Sequence, residues 1–388
     1  MKHSHYLLIF LLSYSLGDVA ANAQYTSYHI GNSLTYDSLG NVKKTTNNSG
    51  FQEIAAFYGQ TQAIGFHVDG GQPLHAIWNN PLGVPGSSDD DLDETREPYN
   101  GYSNALPNYS WDAVVLEPYF SQGATLGSDK QMLANFAGIT SSSPWFYIMQ
   151  VWPQTTWGDY QTYWDGPSLD SDSTPTQPRR EFYQNLMGDL DNRYRMIPTG
   201  EVIYEIAKAL ATDAYPELAG LSIYNPADDD LSFHRDTIHL SADLGRYVAT
   251  ATMYSTMHKQ DIRGLVPPSN IFDPLVLTPS IADRLNSIIW DVVSSSPYSG
   301  IADFNDDGYV NATDLTLWQN EFGTTYDGSD FLNWQRQLLG GSNLLASAVP
   351  VPEPTSLALF VVFVVSQARI CRFRYNNYQT ISRTSKPR

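Results

Sequence analysis

The chain is predicted to fold as an α/β protein, a three-layer α/β/α sandwich on a mainly parallel sheet, followed by a small all-α unit. Three observations carry this. Two short, continuously apolar runs, "WDAVVLE" (111–117) and "WFYIMQV" (145–151), are each closed off by a proline, as strands buried on both faces read. Stretches of helical length separate such runs, which makes the connections βαβ crossovers and the strands parallel. Hydrophobic residues fill 42% of the 388 positions, enough for a core on each side of a sheet.

The elements follow in chain order. Lys2, the apolar stretch 6–12 and the small-x-small site Ala21-Asn22-Ala23 read as an export signal over 1–23, so the mature chain is expected to begin near Gln24. The main domain is expected over 24–297. It opens with a strand, Tyr28-His29-Ile30, that stops at Gly31-Asn32-Ser33-Leu34-Thr35. A helix over 51–60, a strand over 63–68 and the two apolar runs come next. Polar stretches 84–105 and 165–178 read as long loops near a site. Helices are expected over 179–192, 201–211, 244–258 and 279–293, the last capped by Thr278. Ser294-Ser295-Ser296-Pro297-Tyr298-Ser299-Gly300 has the composition of a linker.

Charge and composition narrow the function. A formal net charge of −19 argues against nucleic acid or an anionic membrane surface as partner. The one cysteine, Cys371, allows no disulfide framework within the chain, so an exported protein must rely on its core and on metal ions. Nine Trp and 25 Tyr supply core and rings suited to stacking on sugars.

On the residues alone, Ser33 has two readings: a nucleophile on a tight turn, or a polar residue where a strand stops. A nucleophile needs a base and the base an orienter. "RDTIHLSADLGRY" offers both, since Asp236 and His239 can point from one loop at one site, just before the helix 244–258. Here a resemblance enters. Gly31-Asn32-Ser33-Leu34 resembles block I of the SGNH (GDSL-like) hydrolases, and Asp236-Thr237-Ile238-His239 resembles their block V; the likeness spans about residues 25–260. It implies the three-layer sandwich, Ser33 as nucleophile, His239 as general base and Asp236 as orienter, with Asn32 where the family usually has Asp. The family's oxyanion hole combines the serine N–H, a block II glycine and a block III asparagine. Gly71 stands for block II. No Gly-x-Asn-Asp follows 114–117, so Ser121 and Gln122 are the candidates for the third donor, and Glu117 reads as a strand-end carboxylate without a catalytic part. His29 reads as core, and His67, His75 and His234 offer no tight zinc pair. The expectation is an exported serine esterase acting on ester groups, those of acylated polysaccharides first. The rival is a non-catalytic carbohydrate- or partner-binding surface protein on a degenerate SGNH scaffold.

Residues 303–314 place Asp303, Asn305, Asp307, Asn311 and Asp314 at loop positions 1, 3, 5, 9 and 12. Gly308 takes position 6 and the Tyr309 carbonyl position 7, a set of hard oxygens that suits calcium. "DLTLWQNEFG" and "DFLNWQRQLLG" then repeat one helix. This loop and helix pair resembles a dockerin-type module over 298–345, which implies a structural Ca2+ and a cohesin-like partner. In the tail, 346–388, Val351-Pro352-Glu353-Pro354, an apolar run over 357–365 and Arg369, Arg372 and Arg374 resemble a PEP-CTERM sorting signal. That implies recognition by a sorting machinery and a place outside the cell or on the envelope surface of a bacterium.

Overall fold

A computed structural model of the chain describes residues 24–40, 49–81, 101–119, 123–153, 155, 160–166 and 179–340. Its main sheet has five parallel strands: β1 (Tyr25–Gly31), β2 (Gln62–Val68), β3 (Ala113–Leu116), β4 (Trp145–Met149) and β5 (Tyr194–Ile197), in the order β2-β1-β3-β4-β5. Ile30 pairs with His67 on one side and Leu116 on the other, so the carboxyl ends of β1, β2 and β3 lie level. The chain goes from β1 to β2 on one side, then crosses to β3 on the other. Open α/β sheets bind ligands outside the strand ends at such a switch. Ser33 follows β1 and Glu117 follows β3, so both stand there. A separate parallel pair, β6 (Ser222–Tyr224) and β7 (Ser232–His234), leads into the 235–240 loop.

Twelve α-helices accompany the strands among the described residues: α1 (Ser33–Leu39), α2 (Gly50–Phe57), α3 (Leu74–Trp78), α4 (Tyr102–Asn108), α5 (Leu126–Ile139), α6 (Tyr160–Asp165), α7 (Arg179–Gly188), α8 (Thr199–Ala211), α9 (Leu244–Met257), α10 (Pro279–Ser295), α11 (Ala312–Glu321) and α12 (Gly328–Gly340). Two separate apolar cores lie on the two faces of the sheet. Val115, Tyr147 and Met149 pack with Leu34, Phe51, Ile203, Val248 and Ile289 from α1, α2, α8, α9 and α10. Their strand neighbours Val114, Leu116, Phe146 and Ile148 point the other way, to Leu74, Leu106, Phe136 and Tyr183 of α3, α4, α5 and α7. Alternation along doubly buried strands thus yields a helix layer on each face. Among the described residues no helix is long and apolar enough to cross a membrane.

Some boundaries move. The strands read at 111–117 and 145–151 stop at Leu116 and Met149; beyond them Glu117 bonds the Ser33 turn and Gln150 accepts from the Glu201 N–H at the start of α8. The serine-rich linker is packed rather than solvated. Ser294 and Ser299 are fully buried, the Ser299 hydroxyl accepts from Gln337 Nε2 (2.8 Å), and the Tyr298 carbonyl accepts from the Met196 N–H at the edge of β5 (2.8 Å). The Ser299 side chain is satisfied inside the fold, its hydroxyl also donating to the Val293 carbonyl (2.8 Å), which composition alone does not show. Helices α11 and α12 belong to the same compact unit as the sheet. The export signal, most of the long loops and the sorting tail lie outside the described residues.

Candidate active site

Ser33 is the first residue of α1, immediately after β1. Its turn is held by its neighbours. Asn32 caps the helix, its Oδ1 accepting from the Leu34 N–H (2.9 Å), and its Nδ2 donates to the Gln72 carbonyl (3.4 Å). An aspartate here could not make the second bond, so the departure Asn32 has a local use. Glu117 Oε2 accepts from the Asn32 N–H (3.1 Å), the Thr35 N–H (2.9 Å) and the Thr35 hydroxyl.

Asp236 and His239 occupy a loop closed on itself. The Arg235 N–H donates to the His239 carbonyl and the Ser241 N–H to the Phe233 carbonyl, each at 3.0 Å. Asp236 Oδ1 accepts from the Ile238 N–H (2.8 Å) and the His239 N–H (2.7 Å), while Oδ2 lies 2.8 Å from His239 Nδ1. His239 Nε2 lies 2.8 Å from Ser33 Oγ. Ser33, His239 and Asp236 therefore meet in one hydrogen-bonded line. Desolvation pushes the Asp236 carboxyl up, but the two N–H groups and the imidazole outweigh it and hold the carboxyl below its ordinary range.

The loop is tied down from both sides. The Asp37 carboxylate on α1, fully buried, accepts from Arg235 Nη1 (3.0 Å), Arg246 Nε (2.8 Å) and the Leu240 N–H (2.9 Å). From beyond β4, Trp152 Nε1 donates to the Ile238 carbonyl (2.7 Å) and the Thr155 N–H to the Thr237 carbonyl (2.8 Å). Asp37, Trp152 and Glu117 are the supporting residues that sequence reasoning missed. The signal for Asp37 was its place one helical turn after Ser33 on the same short helix.

Of the expected oxyanion donors, the Ser33 N–H meets no acceptor among the described residues. Gly71 sits with φ +68° in the Asp69–Gln72 turn beyond β2. That turn joins the Ser33 turn through Asp69 N–H to Gly31 C=O (2.9 Å) and the Asn32–Gln72 bond. Ser121 and Gln122 lie outside the described residues. His29 and His234 are buried and desolvation drives their pKa down, to about 3 and about 4. Both are neutral core groups. A cleft of about 530 Å3 lined by Arg180, Glu201, Tyr215 and Tyr298 includes none of the three aligned residues.

The 303–314 loop closes around two buried carboxylates. Asp303 accepts from the Asp307 N–H (3.1 Å), the Gly308 N–H (2.9 Å) and Arg195 Nη2 (2.6 Å). Asp314 accepts from the N–H groups of Phe304 (2.7 Å), Asn305 (3.3 Å) and Asn311 (2.8 Å). Desolvation, with the nearby Asp303 charge adding to it, raises the Asp314 carboxyl. The donors are hard oxygens, the kind calcium takes. A calcium ion would share Asp303 with Arg195, and Asn305, Asp307, Asn311 and the Tyr309 carbonyl would have to complete its shell. Among the described residues no three carboxylate, imidazole or thiolate groups converge as a metal cluster.

No protein-family model matches the chain, and no curated protein matches it. Among solved structures it is similar to a DUF4886 family protein from Bacteroides uniformis ATCC 8492, at 15% identity and a TM-score of 0.45, over 70% of this chain and 95% of that one.

Proposed function

We propose that this chain is an exported serine esterase with Ser33 as nucleophile, His239 as general base and Asp236 as its orienter. The observation that carries the reading is the pair of 2.8 Å contacts linking Asp236 Oδ2, His239 and Ser33 Oγ. Asp236 accepts the Nδ1–H, which leaves the Nε2 lone pair facing the Ser33 hydroxyl. As Oγ attacks the ester carbonyl carbon, its proton passes to Nε2. The carbonyl oxygen, now an oxyanion, accepts from the Ser33 N–H, with Gly71 and either Ser121 or Gln122 as further donors. The imidazolium, stabilised by Asp236, protonates the leaving alkoxide. Water then attacks the acyl-serine with His239 again as base, releasing the acid and restoring Ser33.

Export, the ring-rich composition and the appended unit support acyl groups on polysaccharides as the substrate class. The 298–345 unit is read as dockerin-like, its calcium structural and not catalytic, with a cohesin-like surface protein as partner. The tail is read as a sorting signal that delivers the chain to the bacterial envelope or beyond.

The test uses a serine-directed phosphonate and a short-chain aryl ester. Wild-type protein should be labelled at Ser33 and should turn over the ester. Ser33→Ala and His239→Ala should each remove nearly all activity, and the double variant should be little worse, since residues acting as one unit are not additive. Folded protein that neither labels nor turns over any small ester would sink the reading and favour the binding protein.

A further inference from the structure

Glu117 has no part in the proton relay, yet it is a fully buried carboxylate at the switch between β1 and β3. Its exposure is zero, and its Oε1 finds no partner among the described residues. Oε2 carries three bonds, all from the Ser33 turn. A buried carboxylate is costly, so a position that needed only packing would favour an apolar side chain. The strand beside it is cut to fit: a Cβ on Gly31 would lie 2.7 Å from Glu117 Cβ.

The bonds are selective. Of the four successive N–H groups at residues 32–35, Glu117 takes those of Asn32 and Thr35, and the Asn32 side chain takes that of Leu34. The Ser33 N–H is left. We infer that Glu117 is a positioning residue: from the end of β3 it draws in the N–H groups flanking Ser33 and fixes the turn in the orientation that offers the Ser33 N–H to the substrate oxygen. This rests on Ser33 being the nucleophile.

The charge on Glu117 matters because bonds to an ionised acceptor are about twice as strong as neutral ones. Desolvation raises its pKa to about 7, against the bonds from Thr35 and Asn32 that lower it, and the Asp37 carboxylate on α1 adds to the rise. Tyr183, facing it from α7, is the other titratable neighbour. The ionised carboxylate is the better clamp, so activity should be lost as pH falls through about 7. Stability runs the opposite way. A folded pKa above the unfolded one means the native state binds more protons between them, so this contribution is full below about 4.5 and is lost as pH rises through about 7.

The experiment compares wild type with Glu117→Gln. The variant should lose kcat by roughly 10- to 100-fold with KM changed less than about twofold, the pattern of a misoriented transition-state donor. On the acid side, kcat should fall more steeply with pH in wild type, where Glu117 titrates, than in the variant, where that position carries no ionisable group. The variant's Tm relative to wild type should rise as pH goes from 5 to 8. If Glu117→Gln does not fold, Thr35→Val removes one bond to Oε2 and should move the acid limb to higher pH. An unchanged kcat and slope in Glu117→Gln, or an unmoved acid limb in Thr35→Val, would overturn the inference. Should wild type prove inactive, the esterase reading fails by itself. The amide shifts of Asn32 and Thr35 then decide for Glu117: they should titrate together in wild type and not in the variant, and flat shifts in wild type would end the proposal.

Discussion

Asp37→Asn tests whether the 235–240 loop owes its place to α1. The substitution keeps size and removes charge. In the native state the Asp37 carboxylate is fully buried and receives two guanidinium bonds and one N–H, at 2.8 to 3.0 Å. Removing one partner of a buried ion pair costs about 3–5 kcal/mol. The cost here should fall toward 2–3 kcal/mol (about that, on the same scale), because the Arg235 side chain is 32% exposed and water can take over part of its solvation. For a chain of this size that is a Tm lower by roughly 3–5 °C. Activity should suffer separately. A misplacement of about 1 Å between nucleophile and base can cost on the order of 100-fold, so kcat should fall 10- to 100-fold with little change in KM. Thermal unfolding by circular dichroism and turnover of an aryl acetate read the two effects. Asp191→Asn is the control: its pair with Arg193 is half exposed on both sides and its loss should move Tm by less than about 1 °C. If Asp37→Asn stays within about 2 °C and twofold in kcat of wild type, the tether argument is wrong.

Two further outcomes concern the C-terminal helices. Arg195→Gln removes a guanidinium that is nearly buried, pairs with Asp303 and Asp306 and lies 3.6 Å above the Trp145 ring. Limited proteolysis should then cut near residue 300 well before the sheet unfolds, whereas wild type should resist; equal resistance would show that α10 and α12 hold without it. Calcium should bind the full-length chain at one site and raise its Tm, by about 2.7 kcal/mol of stabilisation at a hundredfold excess over Kd. Asp307→Ala should abolish this while leaving the Asp303–Arg195 pair intact, and isothermal titration showing no site would remove calcium from the account.

Much of the sheet was legible because a parallel strand buried on both faces is continuously apolar, and "AVVL" and "WFYIM" could hardly be anything else. Ser33, Asp236 and His239 drew attention through short local patterns, and the three come together in space. Asp37 did not, and Glu117 was read only as a strand-end carboxylate, for a physical reason. Asp37 bonds residues about 200 positions away, at separations of 198, 203 and 209. Glu117 reaches 82 and 85 positions back. Nothing near either carboxylate records such a partner. Strand β5 was missed because "YRMI" carries a charge at its second position, and that arginine is buried only because residues 303–306, over 100 positions later, supply its counter-charges. The serine-rich segment misled in the opposite direction, its composition being that of a spacer and its hydroxyls those of a packed joint.

The bond from the Met196 N–H to the Tyr298 carbonyl has a consequence for how the protein is made. Strand β5 is the last of the sheet, and an open strand edge is a template for pairing with another chain. The segment that covers this edge lies about 100 residues further along and is synthesised correspondingly later. During that interval the sheet carries a raw margin. A chain cut after α10 would keep that margin for good, and with it a tendency to stick to its own copies.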